Sequence, residues 1–95
     1  DYTFTGPGFD GATNDPILYL ARGRVYEFVN TMNDHPFQIR VSNGGADYSN
    51  GVTNNGTSNG TVRFEIPMDA PNTLYYQCTS HPGMGNTISV YPNTI

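Results

Sequence analysis

An all-β fold, a Greek-key β-sandwich of seven or eight short strands, is what this sequence predicts, and three observations carry it. Asn, Thr and Gly occur 11 times each in 95 residues, and all three are poor helix formers. Short stretches of two-residue alternation recur between clusters of Gly, Pro and Asn, at the spacing that sandwiches use. No heptad, internal repeat or helical periodicity of useful length competes with them. Ninety-five residues make one domain, residues 1–95, near the lower end of what builds its own core. Seven Tyr and five Phe, with no Trp, supply much of the bulk.

Each element has its own signal. Tyr2-Thr3-Phe4-Thr5 alternates and stops at the Gly6-Pro7-Gly8 turn, after which residues 9–15 read as loop. Ile17-Leu18-Tyr19-Leu20 is a short apolar run between Pro16 and Gly23, consistent with a buried strand. Residues 21–24 are hairpin-like in length. Residues 25–30 follow as a strand with Tyr26 and Phe28 opposed to Glu27. In the next strand Phe37, Ile39 and Val41 face one way, Gln38 and Arg40 the other. His35 shares the parity of the apolar set, and Pro36 suits a first strand position.

Residues 42–60 are polar apart from Ala46, Tyr48 and Val52, and a loop that long is expected to be functional or to carry structure of its own. It contains two glycosylation-type triplets, at Asn55 and Asn59, which chance explains as well in so Asn-rich a chain. Residues 61–66 form the clearest amphipathic strand, with Val62, Phe64 and Ile66 inward and Arg63 and Glu65 outward. After a turn-rich link, residues 73–78 place Leu74, Tyr76 and Cys78 on one face. Residues 86–91 resume alternation with Ile88 and Val90 together.

The net charge is −4, with four Arg and no Lys, so no basic patch exists to meet nucleic-acid phosphates. No apolar run approaches membrane-spanning length. One Cys cannot form an internal disulfide. The chain opens on Asp1 without Met or a signal peptide, which reads as a processed mature form or a piece of something longer. Absence of Lys with abundant Asn and Thr fits a periplasmic, extracellular or particle-surface protein better than a cytosolic enzyme.

The chemistry is concentrated in Cys78-Thr79-Ser80-His81-Pro82-Gly83-Met84. A thiolate, an imidazole and a thioether within seven residues are soft ligands that suit copper. The expected geometry is a strand ending at Cys78, a short ligand loop turned by Pro82 and Gly83, and a second strand. A further strong ligand has to come from elsewhere. The bland readings are a buried free Cys before an unrelated turn and, for His35, a hydrogen-bonded histidine where a strand begins.

An early His at a strand edge, with Tyr75-Tyr76-Gln77-Cys78-x-x-His81-x-x-Met84-x-x-x-Ile88-x-Val90 near the C-terminus, resembles the cupredoxins, the small blue-copper proteins. The ligand loop is most similar to that of the amicyanins, including Thr after Cys and Pro after His. The likeness runs from about residue 25 onward and is specific only at His35 and residues 74–91. It implies His35, Cys78 and His81 as equatorial ligands of one type 1 copper, with Met84 as the weak axial ligand. It also implies single-electron transfer to a redox partner protein, with the His81 ring edge as the electron's exit beside an uncharged docking patch. The chain departs from the family at Pro36, where many members have an Asn whose backbone N–H points to the Cys sulfur. Pro has no N–H to give, which implies a more electron-rich thiolate and a lower reduction potential.

A rival reading is a cupredoxin-fold structural module, with or without metal, in a filament, a virion or a larger secreted protein. In that case the partner is a parent chain or further copies of itself. Zinc on His35, Cys78 and His81 is chemically reasonable but leaves Met84 without purpose. An enzyme is not expected. A copper oxidase needs further His clusters, and this chain has 2 His. A Cys78–His81 protease dyad lacks a third orienting group.

Overall fold

The computed structural model describes residues 1–92, which are all-β, without a helix. Nine strands form among the described residues: β1 (Thr5–Gly6), β2 (Phe9–Asp10), β3 (Leu18–Ala21), β4 (Val25–Asn30), β5 (Phe37–Arg40), β6 (Val52–Thr53), β7 (Gly60–Glu65), β8 (Thr73–Cys78) and β9 (His81–Tyr91). One sheet has the order β3-β9-β8-β5, with β3 parallel to β9; the second has the order β4-β7-β6. Their inner faces meet in one apolar cluster that includes Leu18, Ile39, Val62, Phe64, Leu74 and Ile88. The Phe28 and Phe37 rings, one from each sheet, lie 5.2 Å apart. This is the sandwich that the alternation pattern anticipates.

The count exceeds the expected seven or eight because two segments read as turn or loop contain short pairings. At the N-terminus, Gly8 at φ 84° lets β1 and β2 close into a small hairpin. Tyr2 to Phe4, by contrast, join no ladder. The Tyr2 N–H donates to Asp15 Oδ1 and the Tyr2 carbonyl accepts from the Asp15 N–H, both at 2.7 Å. Those bonds replace a strand partner.

The second departure lies within residues 42–60, which do carry structure of their own. β6 pairs with β7, Tyr48 is buried, and single bridges join Phe37 to Thr57 and Arg40 to Asp47. Asn55 acts as a substitute strand partner. Its Oδ1 accepts from the Ile39 N–H at 2.7 Å, and its Nδ2 donates to the Ile39 and Tyr48 carbonyls, each at 3.0 Å. That amide is therefore spoken for, which argues against a glycan on Asn55. The same segment covers Gln38, which is buried instead of facing solvent.

β3 and β4 are joined by a tight turn yet do not pair, because each goes to a different sheet. Both are edge strands, with Tyr19 and Val29 at 65% and 71% exposure. β3 alternates, Leu18 and Leu20 inward and Tyr19 outward, so the run is buried on one face only. A cavity of about 680 Å³ opens between these edges and the N-terminal segment, lined in part by Phe4, Phe9, Leu20, Tyr26, Phe28 and Met32.

Candidate metal centre

Cys78 arrives as the last residue of β8. Leu74, Tyr76 and Cys78 are all 0% exposed, as their common parity requires. The chain then reverses through Thr79 and Ser80, and His81 pairs directly with Cys78. Pairing of Gln77 with Gly85 follows, so Pro82, Gly83 and Met84 are extra residues on β9, a bulge opposite the Gln77–Cys78 step. The expected free loop is in fact a two-residue hairpin turn followed by this bulge. The reason is that backbone pairing continues up to the ligands rather than stopping short of them.

Gly85 closes the bulge. At φ 153° it occupies backbone space disfavoured for other residues, and a Cβ there would run into the Tyr76 carbonyl oxygen. Met84 is turned inward and is 5% exposed, whereas His81, Pro82 and Gly83 are exposed.

His35 comes from the other sheet's connection. After β4, the polar turn at residues 31–34 is held by the His35 N–H donating to the Met32 carbonyl at 2.8 Å. Buried Asn30 grips the same turn, its Oδ1 accepting from the Met32 N–H at 3.0 Å and its Nδ2 donating to the His35 and Thr57 carbonyls at 2.8 and 3.0 Å. β5 then starts at Phe37, which pairs with Cys78. His35, two residues before that pair, is thereby brought to the sulfur.

The convergence is close. The Cys78 sulfur lies 3.7 Å from His35 Nδ1 and 3.4 Å from His81 Nδ1, and the three donor atoms all fall within 4.8 Å of one another. The two imidazole rings are 4.9 Å apart. For a metal held at roughly 2.0 Å from nitrogen and 2.3 Å from sulfur, donors about 110–120° apart sit roughly 3.5–3.7 Å from each other. Both sulfur–nitrogen separations are near that range. The donor set is compatible with a metal site: one thiol, two imidazoles, the sulfur buried, one ring half-buried and one exposed.

Sequence reasoning passed over Tyr2. Its hydroxyl lies 2.7 Å from the Pro36 carbonyl and 3.0 Å from that of His35, and the side chain is 4% exposed. Burial, then the neighbouring charge of Cys78, push the phenol far above its ordinary range, so it remains a neutral donor. Burial likewise raises Tyr76, whose hydroxyl donates to the Pro16 carbonyl at 2.6 Å. The only hint of the first role was Tyr2's place in an alternating segment, which says nothing of the carbonyls it meets. No protein-family model, no curated protein and no solved structure matches this chain.

Proposed function

We propose that this chain is a cupredoxin-like carrier of single electrons, using one type 1 copper held by His35, Cys78 and His81 with Met84 as a weak axial ligand. The observation that carries the reading is that both imidazoles turn Nδ1 toward one buried sulfur. A His₂Cys donor set with a weakly bound thioether would suit both oxidation states of copper. Copper held by these residues would supply a one-electron redox couple between a reduced and an oxidised partner, with no bond made or broken in the protein. The β8–β9 ladder and the grip on His35 keep the donors in place through both states, and burial of Cys78 keeps solvent from the sulfur. Exposed His81 is the exit, and Thr79, Ser80, Pro82 and Gly83 around it form an uncharged face for a redox partner. Zinc is disfavoured because thioether is a poor ligand for it and a buried Met84 would gain nothing there.

The test is titration with copper(II). An intense blue charge-transfer band at one equivalent, absent in Cys78→Ala, supports the reading. A colourless protein, or colour that survives the substitution, overturns it.

A second reading, a structural module that assembles with copies of itself, is favoured by the position of β3 and β4 at sheet edges among the described residues, with Tyr19 and Val29 exposed and no Lys in the chain. Sedimentation of wild type against Val29→Lys checks it. Association that the substitution abolishes supports this reading, and a monomer at high concentration removes it.

A further inference from the structure

The two ligands on the β8–β9 hairpin are placed by backbone pairing, but His35 precedes its strand and is placed by other means. Pro36 contributes no N–H, so the peptide groups around His35 present carbonyls that need donors from elsewhere. The His35 carbonyl accepts from Asn30 Nδ2 at 2.8 Å and lies 3.0 Å from the Tyr2 hydroxyl; the Pro36 carbonyl lies 2.7 Å from that hydroxyl and 3.4 Å from the Thr79 N–H. The Tyr2 ring also packs edge-on against Phe37 at 5.2 Å, the residue paired with Cys78. One phenol thus touches the backbone on both sides of the His35–Pro36 peptide and the strand that delivers it.

We infer that Tyr2 is a positioning residue of the metal centre, its hydroxyl holding the His35–Pro36 backbone so that His35 Nδ1 stays within reach of the Cys78 sulfur. This rests on the metal-centre reading above. A side chain rotates about its own Cα, so a small drift of the His35 backbone is carried into the position of Nδ1. Metal ligands tolerate misplacement of only a few tenths of an ångström. Tyr2 acts through the His35–Pro36 backbone.

The experiment compares Tyr2→Phe with Tyr76→Phe. Each removes one buried hydroxyl that bonds a backbone carbonyl while keeping its ring, but the Tyr76 hydroxyl is bound to Pro16. Copper(II) affinity is expected to fall about tenfold in Tyr2→Phe, with a shifted charge-transfer band, and to stay within about twofold of wild type in Tyr76→Phe. In metal-free protein, the NMR cross-peaks between the His35 ring and the Cys78 β-protons are expected to weaken in Tyr2→Phe alone, at similar losses of thermal stability. The inference is overturned if Tyr2→Phe keeps wild-type affinity, band and metal-free cross-peaks, or if Tyr76→Phe changes them equally. A wild type that takes no copper sinks the functional reading by itself, while the metal-free spectra still decide the role of Tyr2.

Discussion

The two arms that meet at the sulfur are built differently. The hairpin arm holds Cys78 and His81 by ladder pairing, three residues apart in sequence, and shapes the ligand spacing with a bulge closed by Gly85. The remote arm holds His35 with side chains, Asn30 and Tyr2, which reach backbone carbonyls that no ladder serves. Where strands pair, main-chain geometry alone sets donor positions. Where they do not, individual polar side chains have to do it, and each becomes a point of failure.

The hairpin arm is broken most severely at Gly85. Gly85→Ala drives a Cβ into the Tyr76 carbonyl, and denaturant titration is expected to show a loss of about 3 kcal/mol. Alkali attacks both arms through their phenols. Tyr2 and Tyr76 are neutral when folded and ionise from 10.0 when exposed, so above that pH the unfolded chain holds two protons fewer. Stability from these groups is present below pH 10 and is expected to fall progressively above it, by about 3 kcal/mol per pH unit at most, measurable as a falling melting temperature.

Smaller and confined to the remote arm is Asn30→Ala. It strips donors from the His35 and Thr57 carbonyls and an acceptor from the Met32 N–H, a cost of about 1–2 kcal/mol. Metal affinity is expected to fall further than chemical denaturation implies, because the loss is concentrated on His35. The smallest change concerns electronics alone. Pro36→Asn gives the residue after His35 a backbone N–H and, on the proposed function, is expected to raise the reduction potential in voltammetry, with stability little altered. An unchanged potential removes that N–H from the account of the site.

Much of the hairpin arm was legible in the sequence because it is periodic. Alternation put Leu74, Tyr76 and Cys78 inward, and all are fully buried; Ile88 and Val90 follow the same rule. The parity of His35 with Phe37 and Ile39 put it at the inner edge of the sheet, and its Nδ1 lies 3.7 Å from the sulfur. What escaped was non-periodic. The pairing that carries β9 back to His81 depends on Gly85 tolerating contact with a neighbouring strand, which a single Gly does not announce. Asn55 looked like ordinary loop polarity and Asn30 like the last residue of a strand, yet both satisfy main-chain groups of other segments. Gln38 fell on the outward parity and is buried because the segment at residues 42–60 folds over it. Side-chain substitution for ladder bonds leaves no period to read.

The separation between the two arms has a thermodynamic consequence. His35 and Cys78 are 43 residues apart, and a cation gripping both acts as a reversible clasp around the intervening chain. A permanent tie over that length lowers the disorder of the unfolded state by about 4 kcal/mol. Under the proposed function, supply of the ion would thus govern how long the polypeptide survives proteases, and starvation for it would register first as a shorter lifetime.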